Sequence, residues 1–493
     1  MTCRPMLPRR RRLAYNPRMT GTKYNPVTPS IVDELRRIVG PRNVIFGDAD
    51  ALEPFSHDEI PDRRYAHMPE VVVRPRSADE IAAVMKLANR ELVPVTPRGA
   101  GSGLSGGAVP VCGGIVLLVD RMNSILEIDE SNLMAVVEPG VVTADINEAL
   151  APKGLFYAGY PMSRETCYIG GNVAENAGGG KAVKYGVTGR YVVGLEMVTP
   201  AGEVIRLGGK LVKDVTGYNL IQLMVGSEGT LGVFTEITLK LMPLPRSSVD
   251  LLVLFATTED AIAAVPRIMT ESGLIPTAIE FMDRASVQAA CRYLNESLPY
   301  EQCGAMLLIT VDGADAAQVE REYDAVGEMC LAAGAVEVYV ADNATTSARV
   351  WKVRANVPEA YAIVSPHQAN EDLVVPIAAI PLLVAGMEDL AARHGVNIPA
   401  YGHAGDGNIH TRIVKNPDWT VEKWNEVLPK VLAELYELTA GLGGRLSGEH
   451  GIGHKRKKHM RTFVSEQYLD MCRAIKRALD PNNVLNPGKI FDV

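Results

Sequence analysis

No stretch of this 493-residue chain stays apolar for the roughly 18 residues that a membrane-crossing helix requires, so no transmembrane segment is expected. Cysteine is sparse. Cys3, Cys112, Cys167, Cys291, Cys303, Cys330 and Cys472 form no C-x-x-C pair, which argues against a disulfide framework, a structural zinc or an iron–sulfur cluster within the chain. A reducing cytoplasm fits this usage best. Positive charge is not in excess either. A net charge of −8 and a pI near 5.7 disfavour nucleic acid as the main partner. Residues 1–32 contain no acid, and Arg9 to Arg12 form a basic run. The apolar core of a secretory signal is missing there. A tail over residues 1–28, with Met19 as an alternative start, is the expectation.

What is present is the composition of an ordinary globular protein, 47% hydrophobic and 22% charged, in a chain long enough for two or three cores. "SIVDELRRIVG" reads as a helix with Ser30 and Asp33 as a capping box. "PEVVVRP", "SADEIAAVMKLANREL" and "VPVT" give strand, helix and strand, a crossover unit with parallel strands. Such units bind ligands beyond the C-terminal ends of their strands, where "PRGAGSGLSGG" (97–107) begins. From about 246 to 345 two tandem strand–helix–strand units predict a ferredoxin-like sheet. The expected division is 29–245, 246–420 and a mostly helical 421–493.

Standard nucleotide loops are absent. G-x-G-x-x-G fails at Leu104, and "ENAGGGKA" has Glu175 and Ala182 where a P-loop needs Gly and Ser or Thr. Three small-residue stretches remain: 97–107, "CYIGGNVAENAGGGKAVKYG" (167–186), read as a loop between strands, and "VGSEGTLGV" (225–233). Their backbone amides suit an anion at close range, and a long diphosphate-containing ligand would use all three.

Histidine gathers late. Seven of nine lie at or beyond His367. In "YGHAGDGNIH" (401–410) the Asp-Gly pair signals a hairpin. With Asp406 and Gly407 as a two-residue turn, His403 faces His410 on one side of the sheet, about 5 Å apart at Cβ. That is half a metal site. The run "HKRKKHMR" (454–461) reads as a solvated helix face or a docking patch.

The ordered set "TPRGAGSGLSGG", "PMSRETCYIGGNVAENAGG", "YGVT", "VGSEGTLGV", "GHAGDGNIH", "SGEHGIG" and "NPGK" resembles the FAD-linked D-2-hydroxyacid dehydrogenases over residues 50 to 490. That family includes the FAD subunit of glycolate oxidase, D-lactate dehydrogenases and D-2-hydroxyglutarate dehydrogenase. The resemblance implies an α+β protein with a vanillyl-alcohol oxidase/PCMH-type FAD-binding domain of two α+β subdomains and a ferredoxin-like substrate cap. It places Arg98, Gly99, Ala100, Gly101, Ser102, Gly103 and Leu104 on the FAD diphosphate. Pro161, Ser163, Gly170, Gly171, Asn172, Gly178 and Gly179 would lie along the ribityl chain and ring, Glu228, Gly229 and Val233 at the adenine side, and Asn486 near the flavin. No histidine lies in 97–107, so the FAD is expected to be non-covalent.

By the same resemblance Glu449 joins His403 and His410 as metal ligands. Two imidazoles and a carboxylate suit Zn²⁺ or Fe²⁺, and Mn²⁺ is compatible. His450 is the candidate base, and Arg354 occupies the position of the family's carboxylate-binding arginine. A family lysine that reads a distal carboxylate is replaced by Asn370, which favours D-lactate or glycolate over a dicarboxylate. The electron acceptor is expected to be an iron–sulfur subunit, an electron-transfer flavoprotein, a cytochrome or a quinone, with membrane association only through such partners. A homodimer is compatible. D-2-hydroxyglutarate oxidation, a non-redox transferase of the alkyl-dihydroxyacetonephosphate synthase type, a non-catalytic FAD subunit and an oxidase using O₂ directly are the alternatives.

Overall fold

The computed structural model describes residues 24–493; the basic run and Met19 lie outside the described residues. Residues 24–28, expected in the tail, are instead docked. The Tyr24 hydroxyl donates to the Asn483 carbonyl at 2.6 Å and the Val27 amide to Glu70 at 2.7 Å. The helix Pro29–Val39 is capped by Thr28 rather than Ser30, because Pro29 is pre-set for the first helical position and moves the cap one residue before itself.

Strands β1 (Val44–Phe46), β2 (Val71–Val73), β3 (Val95–Arg98) and β4 (Ile115–Leu118) form a sheet in the order β1-β2-β4-β3. The expected parallel unit is there, but β4 inserts between β2 and β3 and is parallel to both. The helix Ala78–Glu91 covers it with Ile81, Val84, Met85 and Leu87, starting at Ser77, whose hydroxyl accepts from the Glu80 amide at 3.2 Å. Strands β5 (Ile125–Asp129), β6 (Met134–Val137) and, after the short β7 (Leu155–Phe156), β8 (Val192–Val198), β9 (Val204–Gly208) and β10 (Val233–Lys240) form a second sheet, β5-β6-β10-β8-β9. β7 pairs with β11 (Met242–Pro243). The second glycine stretch is not a loop between strands: Ile169–Glu175 is a helix.

The third sheet joins β12 (Ser247–Phe255), β13 (Ala278–Asp283), β14 (Ala305–Gly313), β15 (Ala335–Ala341), β16 (Gln368–Val374), β17 (Ala400–His403) and β18 (Asn408–Val414) in the order β15-β12-β14-β13-β17-β18-β16. Its first four strands have the expected ferredoxin-like arrangement, and the histidine hairpin extends it. Strand period separates its faces. Leu251, Ile279, Phe281, Leu307, Leu373, Ile409 and Ile413 pack into the largest core beneath four helices. On the opposite face the alternate positions of β13, β17, β18 and β16 are polar: Glu280, His403, His410, Arg412, Asn370 and Asp372.

The hairpin register differs from the expectation. Tyr401 opposes His410, and His403 opposes Asn408. A two-residue type I′ turn needs positive φ at both central residues, whereas Gly407 is left-handed and Asp406 is not. Asp406 instead accepts from the Asn408 amide at 3.2 Å and donates its own amide to the His403 carbonyl at 3.2 Å, so residues 404–407 make a wider turn. The slip is by two residues, and the histidines keep one face.

The basic run is solvated only in part: Lys458 and Arg461 are exposed, whereas its first two cations turn inward. Lys455 and Arg456 are buried against the Glu371 carboxylate at 3.1 and 3.2 Å, with the Tyr436 hydroxyl donating to it at 2.6 Å. Gly402, at φ +153°, has no room for a side chain: a Cβ there would meet the Asn408 carbonyl oxygen at 2.5 Å. Gly402→Val is expected to lower stability by about 1–3 kcal/mol through overpacking, read by thermal unfolding. Gly441→Ala, in open space at the end of its helix, should be neutral or mildly stabilising.

Candidate active site

The segment 447–453 returns to the polar face and brings Glu449 and His450 beside the hairpin. Glu449 Oε1 lies 3.5 Å from His403 Nε2 and 3.3 Å from His410 Nε2. A tetrahedral cation with ligand bonds of about 2.0–2.1 Å separates its ligands by about 3.4 Å, so these atoms are already spaced as edges of such a site. His403 Nε2 is buried without a hydrogen-bond partner among the described residues, as a nitrogen awaiting a cation would be. Its Nδ1 is 2.6 Å from Glu280, the carboxylate–histidine pairing that orients metal-binding imidazoles. Burial opposes charge on His403, but Glu280 and Glu449 outweigh it and raise its pKa well above the imidazole range.

Asp372 holds the segment in place. One carboxylate oxygen accepts from the Ser447 hydroxyl at 2.5 Å and from the amides of Gly448, Glu449 and His450 at 3.1, 3.0 and 2.8 Å. The other accepts from Asn408 at 2.8 Å and lies 3.5 Å from His410 Nδ1. Burial works to raise its pKa; the imidazoles of His450 and His410 hold it well below the carboxylate range. His450 stacks on His410 with ring centres 5.1 Å apart. Burial, partly opposed by Asp372, lowers its pKa to about 4, so its ring is neutral near pH 7.

A cavity of about 1100 Å³ runs from the glycine loops to this cluster, larger than a pocket for one small ligand. Gly99, Ala100, Gly101, Ser102, Gly103, Leu104, Pro161, Ser163, Gly170, Gly171, Asn172, Gly178, Glu228, Gly229 and Val233 line it together with Arg98, Arg354, His410, Glu449 and His450. The amides of Ala100 to Leu104 donate to no acceptor among the described residues, and a Cβ on Gly171 would meet open space. Both features suit a diphosphate-containing cofactor. A Cβ on Gly178 would reach Glu449 Oε2 at 3.2 Å. The cradle and the histidine cluster therefore share a wall.

Some expected contacts point elsewhere. The Arg98 guanidinium donates to the carbonyls of His57 and Pro54 at 2.8 and 3.2 Å and braces the loop from behind. The Glu228 carboxylate accepts from the amides of Ile452 and Gly453 at 2.7 and 2.6 Å. Asn486 donates to the carbonyls of Gly107 and Glu228 at 3.0 and 2.8 Å. Neither Gly179, packed on Tyr160 and Pro161, nor Asn486 lines the cavity. Arg354 reaches the cavity but is paired with Glu280 at 2.6 Å. Glu280, Asp372 and Arg412 were not singled out by motif. The only local signal was acidic residues inside otherwise apolar strands, "TAIEFM" and "NEDLVV".

This architecture, an open diphosphate cradle under a ferredoxin-like cap, defines the PCMH/vanillyl-alcohol oxidase class of FAD-binding folds. It is similar to p-cresol methylhydroxylase with substrate bound (TM-score 0.78, 18% identity, 94% of this chain and 96% of that one) and to alkyldihydroxyacetonephosphate synthase (TM-score 0.73, 21% identity, 94% and 86%). Residues 69–208 match the FAD binding domain family, and residues 244–490 match the family of FAD linked oxidases, C-terminal domain. The chain is 39% identical to the glycolate oxidase subunit GlcD of Bacillus subtilis (94% of this chain, 97% of that one) and 37% identical to a D-lactate dehydrogenase of Anaerostipes hadrus (96% and 99%). It is 31% identical to a D-2-hydroxyglutarate dehydrogenase of Stutzerimonas stutzeri (94% and 99%). The chain belongs to the D-2-hydroxyacid dehydrogenase family of FAD-linked oxidoreductases.

Glu280→Gln keeps the shape beside His403 and removes the charge. Metal affinity should fall by about 10- to 100-fold, measured by competition with a chelating dye, while the flavin content of the protein stays unchanged.

Proposed function

We propose that the protein is an FAD-dependent dehydrogenase that oxidises a small D-2-hydroxyacid, D-lactate or glycolate, to the 2-oxoacid. His403, His410 and Glu449 would hold a divalent metal, Zn²⁺ or Fe²⁺ by donor chemistry. The observation that carries this reading is the wall shared by the glycine cradle and the three ligands, with Gly178 against Glu449. When bound, the flavin supplies a hydride acceptor and the cation lowers the pKa of the substrate hydroxyl.

The chain supplies the rest. His450, neutral near pH 7 and on the cavity wall beside Glu449, would accept the hydroxyl proton. Asp372 fixes its backbone, and the stack on His410 fixes its ring. Glu280 holds the His403 ring so that Nε2 faces Glu449. Arg354, on the helix Ala344–Ala355, contributes positive charge to the cavity wall, balanced by Glu280. Asn370 on the wall carries no charge for a second carboxylate, which favours the smaller acids. With no P-loop or dinucleotide fingerprint in the sequence, electrons from the reduced flavin are assigned to a partner: an iron–sulfur subunit, an electron-transfer flavoprotein, a cytochrome or a quinone.

Anaerobic mixing with D-lactate, glycolate, D-2-hydroxyglutarate and L-lactate tests the reading through the flavin absorption band. D-lactate or glycolate should bleach it, and His403→Ala should abolish bleaching at unchanged flavin content; no bleaching of metal-replete protein by any of the four would sink the proposal. His450→Ala should slow flavin reduction by about 10²–10⁴-fold with metal content retained. Because the proton-accepting form of His450 is the neutral one and its pKa is lowered to about 4, the wild-type rate should hold through pH 6 and decline only as pH falls toward 4.

A further inference from the structure

Arg412 stands out among the buried cations of the site. It lines the cavity with His410, His450 and Glu449 and is 8% exposed. It lies two residues beyond His410 on β18, so both side chains leave the same face of the sheet. Its Nη1 donates to Gln368 Oε1 at 2.7 Å and its Nε to the Tyr401 hydroxyl at 3.2 Å. Both partners are neutral. No carboxylate of the described residues is within ion-pair reach of it, whereas Arg354 has Glu280 and Arg456 has Glu371. Asn370, directly opposite on β16, offers an amide whose oxygen is buried without a partner among the described residues.

A guanidinium out of water without an anion is costly, because burial removes hydration that neutral hydrogen-bond partners replace only in part. Here two neutral groups fix the plane of the guanidinium, and its remaining donors have no acceptor among the described residues. An arginine oriented in this way suits a planar, bidentate anion such as a carboxylate.

We propose that Arg412 is the carboxylate anchor of the site: it binds the C1 carboxylate of the hydroxyacid whose hydroxyl meets the His403–His410–Glu449 cluster. Gln368 and Tyr401 act as positioning residues for it. The inference rests on the hydroxyacid reading and deepens it, since it moves net charge recognition from Arg354, which is already paired, to Arg412. It follows that uncharged analogues such as 1,2-propanediol are excluded by the empty anion site, not by size.

The test uses holoprotein and two readouts: binding of the product analogue pyruvate, followed by flavin difference spectra, and KM for whichever hydroxyacid bleaches the wild type. Arg412→Gln should weaken pyruvate binding and raise KM by about 100-fold, as expected for losing a charged bidentate contact, while Arg412→Lys recovers part of the loss. Asn370→Asp leaves Arg412 in place but gives it a protein carboxylate; it should weaken pyruvate binding in the same direction, which keeps the test decisive if Arg412→Gln does not fold. Pyruvate binding within twofold of wild type in either folded variant overturns the proposal. So does a loss confined to 2-oxoglutarate, which would place Arg412 on a second carboxylate. A wild type bleached by no hydroxyacid rejects the underlying reading instead, and the anchor with it.

Discussion

One buried carboxylate, that of Asp372, joins the parts of the site. It sits on β16, and its two oxygens receive five hydrogen bonds, four from residues 447–450 and one from Asn408 of the neighbouring strand. Donors in that number favour the charged form of an acid even where water is excluded. The consequence is mechanical as well as electrostatic. Residues 447–453 are without regular structure, and their path over the hairpin is dictated by where their amides find an acceptor. Asp372 is the acceptor that sets the backbone of Glu449 and His450 opposite His403 and His410.

The same economy recurs on the other side of that segment. Glu228 accepts from the amides of Ile452 and Gly453, while Asn486 ties Glu228 to Gly107. Glu371, neighbour of Asp372 but on the opposite face of β16, takes Lys455 and Arg456. Residues 447–456 are thus stitched to the cap sheet by two carboxylates and to the cofactor-binding part by a third. Buried ion pairs of this kind contribute little net stability. What they supply here is position, because a displaced partner would leave a charge stranded out of water.

The legible part of the site was the part encoded in local chemistry. Glycine runs announce a chain that approaches a ligand closely, and a Gly-Asp-Gly turn between strand-like segments announces a hairpin with its histidines on one side. A slip of two residues in register left that conclusion intact, since side-chain direction repeats with period two. Illegible were the partners drawn from distant strands. Nothing around Glu280 in "TAIEFM" marks it as the support of a histidine more than a hundred residues later, and nothing in "HKRKKHMR" marks Lys455 and Arg456 as the two cations that turn inward to Glu371. The expected roles of Arg98 and Arg354 show the converse. Both side chains line the cavity, but the groups they face, backbone carbonyls for one and Glu280 for the other, are set by packing.

By itself, then, the sequence determined the class of cofactor cradle, the ferredoxin-like order of the cap strands and the identity of the histidine pair, because each depends on spacing within a few dozen residues. Tertiary structure alone decided which charges are compensated. Ion pairing depends on distances between side chains from separate strands and helices, and no periodicity along the chain encodes it. That is why, among the described residues, Arg354 has a counter-charge and Arg412, on the same polar face, has none.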